Sequence, residues 1–171
     1  MKFLYRLQQF LFSTRMRKSK PPIFQLQGKR IKNILIVAPK ETLDEFIWLE
    51  NFQLNTEVSL NFLSISKEKA DNTSTQNLQV TLNKTSFGLD LFPRTSWLTQ
   101  QTTVYDMIIL NNKIGNPMVE SVAISISASY RVSVFPTKFA HFYHVVLHSN
   151  TDSEKELILE LKDLLLKTLP L

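Results

Sequence analysis

The distribution of apolar positions divides the chain into segments of different period. Ile34-Leu35-Ile36-Val37-Ala38 is a continuous apolar run bounded by Lys32-Asn33 and Pro39. Unbroken apolarity over so short a stretch predicts a strand buried on both faces, as at the centre of a parallel sheet. Val104 to Leu110 predicts a second such strand. Between them, Glu41 to Gln53 has helical spacing, with Leu43, Phe46, Ile47, Leu49 and Phe52 apolar and Glu41, Asp44 and Glu45 in the first turn, where the helix dipole favours anions. Val58 to Ser66 is strand-like, Lys67 to Gln76 is a polar loop, and Leu78 to Leu82 alternates as a short strand would. Thr85 to Gln101 has no sustained period and reads as irregular with a helical turn or two.

Regularity returns after the second buried strand. Asn116-Pro117 supplies an N-cap followed by proline at the first helical position, predicting a helix to about Ala128. Tyr130 to Phe135 and Phe142 to Leu147 predict two further strands. Ser153 with Glu156 forms a capping box for a terminal helix through Leu157, Ile158, Leu161, Leu164 and Leu165. Strands alternating with helices imply an α/β fold. The expected architecture is a Rossmann-like three-layer α/β/α sandwich with a mainly parallel sheet.

At the N-terminus, Phe3, Leu4, Leu7, Phe10 and Leu11 recur at helical spacing with Arg6, Gln8, Gln9 and Ser13 between them, predicting an amphipathic helix over Met1–Arg17. Ser19-Lys20-Pro21-Pro22 ends it. Residues 1–22 are thus expected to form a helical arm and linker, and 23–171 a single domain. Arg6, Gln8 and Gln9 interrupt the apolar run that a secretory signal requires, and no stretch reaches the roughly 20 apolar residues of a membrane span.

Charge alters this picture when it is resolved by position. The 171 residues carry a formal charge of +5, yet residues 1–40 contain ten Lys or Arg and no acid, while the remainder contains ten basic and fifteen acidic residues. Any inference from basicity therefore belongs to the N-terminal region. Arg6, Arg15, Arg17, Lys18, Lys20, Lys29 and Arg30 are the candidate binding cations. Three kinds of occupant of the arm stay open: the domain itself, a sister subunit or another protein partner; an anionic membrane surface; and ribosomal or other nucleic acid. An acid-free start containing Arg, Ser and Thr would also suit an organellar transit peptide. The expected location is cytoplasmic, with the membrane's inner face as the alternative.

Composition excludes several chemistries. Gly28, Gly88 and Gly115 are too dispersed for a phosphate-binding loop, and the absence of cysteine removes thiol nucleophiles, thiolate zinc sites and disulfides. The three histidines, His141, His144 and His148, would share one face of a helix, but Phe142, Tyr143, Val145 and Val146 favour a strand. There His144 and His148 stand about 13 Å apart, too far for one metal. Solvent-facing histidines on a late strand, with no metal and no cofactor, are the expectation.

Asp44, six residues beyond the first buried strand, and Asn112, just beyond the second, are the candidate polar residues at the carboxyl edge of the sheet, where ligands of parallel α/β folds collect. Asp44 could serve as a general base or merely as a first-turn acid; Asn111, Asn112 and Lys113 could line a pocket or form an ordinary turn. Asp106 lies at the opposite end of its strand. Ser125, Ser127 and Ser129 lack a nucleophile-elbow context.

Two resemblances bear on these residues. Ile34-Leu-Ile-Val-Ala-Pro-Lys-Glu-Thr-Leu-Asp44 and the later unit Tyr105-Asp106-Met-Ile-Ile-Leu, helix, Ala128-Ser-Tyr-Arg-Val132 resemble the N-terminal half of heptosyltransferase-type glycosyltransferases, which implies that Asp44 matches a catalytic aspartate. Leu43 stands where that family has glycine, and the chain ends where its second, nucleotide-sugar-binding domain would begin, so transferase activity is not expected. A degenerate or partner-dependent sugar-acceptor domain is the alternative that this resemblance leaves. Over most of its length the chain is more similar to a family of short uncharacterised bacterial proteins. The shared features are the basic N-terminal helix, the segment Asn83-Lys-Thr-Ser-Phe-Gly-Leu89, the Tyr-Asp strand and the Leu-rich terminal helix. This resemblance implies a Rossmann-like domain and supplies no activity. The expectation is a non-catalytic interaction or scaffold domain attached through its basic helix.

Overall fold

Two buried apolar runs separated by nearly seventy residues become hydrogen-bonded neighbours at the middle of the sheet. A computed structural model describes residues 2–21, 31–42, 58–66, 79–147 and 154–168. Among them are the strands β1 (Asn33–Pro39), β2 (Ser59–Ser66), β3 (Gln79–Asn83), β4 (Tyr105–Leu110), β5 (Ala128–Ser133) and β6 (Val145–Val146). The helices are α1 (Lys2–Lys18), the single turn α2 (Thr95–Leu98), α3 (Pro117–Ser125) and α4 (Glu154–Thr168).

The six strands form one sheet in the order β3-β2-β1-β4-β5-β6, and every pairing is parallel. The chain begins at the centre, moves outward through β2 and β3, then returns to β4 and continues to the other edge. The reversal between β1 and β4 is the switch point at which doubly wound sheets open a crevice beyond their carboxyl ends.

Period-two alternation sends the side chains of these strands into two separate cores. On one face Leu35, Val37, Leu63, Ile65, Ile108 and Leu110 pack with Val119, Val122 and Ala123 of α3 and with Phe142. On the other, Ile34, Ile36, Leu60, Phe62, Met107, Ile109 and Val132 pack with Leu161 and Leu165 of α4. Burial on both faces explains why β1 and β4 read as continuous apolar runs, and it confirms the α/β class.

Asp106, at the amino end of β4, is a structural group. Its Oδ2 accepts the backbone N–H groups of Lys32 and Asn33 at 2.9 and 3.0 Å, fixing the entry of β1 beside β4.

Several boundaries depart from expectation. α3 ends at Ser125 rather than Ala128, because the Ile126 N–H closes the last turn on the Val122 carbonyl and Ala128 is already paired with Tyr105 in the sheet. The strand expected over 142–147 is reduced to Val145–Val146, since Ala140–Phe142 forms a 3-10 turn whose Phe142 enters the core. The alternating stretch near Leu78 does form β3, and the aperiodic stretch after it holds a 3-10 turn and α2. Of the helix expected over 41–53, Glu41 and Thr42 are described, in a 3-10 turn directly after β1; residues 43–53 and the capping serine Ser153 lie outside the described residues.

α1 spans Lys2–Lys18, close to expectation, but a different face of it is packed. Phe12 and Met16 are 4% and 0% exposed, whereas Phe3, Leu4 and Phe10 are 79%, 51% and 67% exposed. Leu7 also faces water, and Leu11 is half-buried. The periodic Phe/Leu face is therefore not the face that meets the domain. Phe12 and Met16 are one turn apart and make a second, shorter stripe, and the groove offered by the rest of the fold selects that one.

Candidate functional site

Among the described residues, polar side chains of separate elements converge at the carboxyl edge of the sheet, and α1 lies across that edge. Beyond β4 the chain turns through Asn111–Asn116 into α3. Asn112 organises that turn: its Oδ1 accepts the Asn116 N–H at 2.8 Å, and its Nδ2 donates to the Asn116 carbonyl at 3.0 Å and to Glu120 at 3.2 Å. Asn116 in turn caps α3, its Oδ1 accepting the Met118 N–H at 3.0 Å, as the Asn-Pro pair predicted. Gly115, at φ +65°, takes a conformation that disfavours side chains with a Cβ.

Glu120 is the centre of the edge. It is 4% exposed and accepts hydrogen bonds from Asn112, from the Thr137 hydroxyl at 3.0 Å and from the Tyr143 hydroxyl at 2.9 Å. Burial raises its pKa, and the three donors oppose that rise. The Tyr143 phenol is pushed well above its usual range by burial and then by the neighbouring carboxylate. A buried carboxylate is tolerated only when so supplied with donors. The result joins the β4–α3 turn, α3 and the β5–β6 connection in one polar knot.

Arg131 is buried nearby on β5. Its Nε donates to the Ala123 carbonyl at 3.2 Å and its Nη2 to the Ile126 carbonyl at 2.7 Å, so it satisfies carbonyls at the end of α3 that have no helical partner. Burial lowers its pKa. His144 is not solvent-facing, contrary to expectation. It is half-buried and stacked on Tyr130 with ring centroids 4.3 Å apart, and its Nδ1 accepts the Arg131 N–H at 2.9 Å. Burial lowers its pKa to about 4, so it is neutral at neutral pH. His141 lies exposed in the 3-10 turn, and His148 is outside the described residues.

A cavity of about 430 Å³ lies between this edge and α1, with Asn112, Glu120, Ser133 and Thr137 below and Gln9, Phe12 and Ser13 above. Its size falls in the range of small-molecule sites. Asn112, Glu120, Thr137 and Ser133 are all engaged in hydrogen bonds within the fold. Their arrangement holds loops in place, and among the described residues no group of three His, Asp or Glu side chains could hold a metal ion.

α1 is fastened across this edge by four contacts. Phe12 meets the Phe92 ring at 5.8 Å between centroids and Phe139 edge-on at 5.5 Å. The Arg15 guanidinium lies 4.1 Å from the centre of the Phe92 ring and forms an ion pair with Asp90. The receiving surface is a tight loop in which Phe87 and Pro93 are bridged, the Gly88 N–H meets the Phe92 carbonyl at 2.9 Å, and Leu91 sits at φ +61°. Toward its N-terminus α1 stands off the domain, leaving a cleft of about 530 Å³ between Tyr5, Gln8 and Gln9 and the residues Leu91, Ile114 and Met118.

The residues singled out in sequence therefore separate. Asn112 is at the carboxyl edge as expected, acting as a strut of its turn. Asp44, Lys29 and Arg30 lie outside the described residues. Arg15 faces the domain and holds Asp90. Arg6, Arg17, Lys18 and Lys20 are exposed, with Arg6 and Arg17 bordering the outward apolar stripe of α1. Sequence reasoning missed Glu120, Thr137, Tyr143 and Arg131, whose partnerships span different elements and leave no local pattern.

Among the described residues no helix is long and apolar enough to cross a membrane. No curated protein and no solved structure matches the chain significantly, so the glycosyltransferase resemblance gains no support from a neighbour. A family model does match, over residues 5–168. That span takes in nearly all of α1, the six described strands and the whole of α4, and the chain accordingly belongs to the family of unknown function DUF6913.

Proposed function

We propose that this protein is a non-catalytic interaction domain that attaches to its target through the outward face of α1. One observation carries the reading. The helix is already seated by Phe12 and Met16, yet it holds Phe3, Leu4, Leu7 and Phe10 in water on another face. Scattered exposed apolar residues are ordinary, but a contiguous group on one element marks an interaction surface. The seat beneath also fixes the orientation of that face, because Arg15, Phe12 and Phe92 limit rotation of the helix about its axis. At the carboxyl edge, the engagement of Asn112 and Glu120 in holding loops supports a structural role there in preference to sugar transfer.

The test is site-specific photocrosslinking in cells, with a photoreactive side chain at position 10 of the full chain and a control at the exposed position of Lys162 on α4. Adducts at position 10 well above the control are expected. Equal labelling at both positions would remove the reading.

A further inference from the structure

We infer that the surface met by α1 is an anionic lipid bilayer, on which the helix lies flat between the domain and the headgroups. This rests on the attachment reading above and names its partner.

The outward stripe has the composition of an interfacial helix. Two phenylalanines and two leucines form its centre, Arg6 and Arg17 follow one border by helical spacing, and Lys18, in line with Leu4 and Leu11, ends the stripe at its C-terminal end. No acidic residue occurs anywhere in residues 1–40. Such a helix buries its apolar side at the boundary between headgroups and acyl chains while its cations meet anionic headgroups. Long Arg and Lys side chains reach outward from the buried stripe to the polar layer.

Other occupants fit less well. A second copy of the chain seated face to face by two-fold symmetry would bring Arg6, Arg17 and Lys18 of both copies together with no carboxylate from either α1, and like charges so placed repel. A nucleic acid would engage the cations, but its phosphate backbone offers nothing to the Phe3, Leu7 and Phe10 centre. A bilayer accepts both parts of the surface. It also suits the geometry, because Phe12, Met16 and Arg15 keep the helix axis against the domain and leave the full length of the stripe open on the far side.

The experiment is co-sedimentation of the full chain with vesicles of phosphatidylcholine alone and of phosphatidylcholine with phosphatidylglycerol, at low and moderate salt. Binding to the anionic vesicles at least tenfold above the neutral ones is expected, weakening as salt rises. The triple variant Phe3→Ser, Leu7→Ser, Phe10→Ser should lose most of that binding. Arg6→Gln with Arg17→Gln and Lys18→Gln should lower it by about fivefold for each cation removed. Absence of binding to anionic vesicles, or binding that the serine variant leaves unchanged, would overturn the inference. The crosslinking experiment separates the two failures: protein-only adducts at position 10 overturn the lipid partner while leaving the attachment face intact, and labelling no greater than at the control position overturns both.

Discussion

α1 and α3 use their apolar residues in opposite ways. α3 is buried through Val119, Glu120, Ser121, Val122 and Ala123, and its polar members are matched: Glu120 by three donors, and Ser121 by the Leu91 carbonyl at 2.7 Å. α1 buries Phe12 and Met16 only and leaves its larger apolar stripe in water. Because α3 is enclosed by the sheet and the edge loops, every group it presents must be satisfied from within the fold. Because α1 lies across the edge, only one face is constrained by the fold, and the other is free to carry a surface function.

This contrast predicts that the two helices respond differently to substitution. The largest effect is expected at α3: Glu120→Ala strands the Asn112, Thr137 and Tyr143 donors, at a cost of roughly 3–4 kcal/mol when buried partners are lost together. Chemical denaturation measures it, and a loss below about 1 kcal/mol would mean that the knot is solvated.

At α1 the inner and outer stripes should separate. Phe12→Ala is expected to cost about 3 kcal/mol, the lower end for a buried phenylalanine because a cavity already adjoins the site. The triple serine variant of Phe3, Leu7 and Phe10 should shift stability by less than about 1 kcal/mol, since these side chains gain little from folding. Equal losses from the two variants would dissolve the distinction between the faces.

A smaller effect than either Glu120→Ala or Phe12→Ala concerns pH. His144 is held neutral in the fold, its pKa lowered to about 4, whereas the unfolded chain protonates near 6.5. Between these values the unfolded state binds more protons, so stability falls as pH decreases from about 6.5 to about 4 and levels off below. Solvent screening of a half-buried ring reduces the loss to about 1–2 kcal/mol. The raised Glu120 pKa works in the opposite direction, because its carboxyl gains stability on protonation, so comparison of the native chain with His144→Asn isolates the histidine. If both lose stability equally over that window, His144 is not the responsible group.

Much of the fold was legible because its signals are local. A strand buried on both faces must be continuously apolar, so Ile34–Ala38 and the run ending at Leu110 announced the centre of a parallel sheet. Asn116-Pro117 marked the start of α3 because capping depends on adjacent residues. The ends of α3 and β6 were less legible, since Ile126–Ala128 and Ala140–Tyr143 are positioned by pairing with distant strands and by insertion of Phe142 into the core. At the carboxyl edge the place of Asn112 after a strand is a local signal, while no local pattern separates Glu120 from an exposed helical acid.

The sequence by itself determined the α/β class, the basic and acid-free N-terminal segment, and the presence of an amphipathic helix there, because composition and periodicity are properties of neighbouring residues. Only the tertiary structure decided which stripe of that helix meets the domain. Two apolar stripes compete on α1, and the choice of Phe12 and Met16 depends on the rings of Phe92 and Phe139 and the carboxylate of Asp90, which the chain brings to the helix from far along its length.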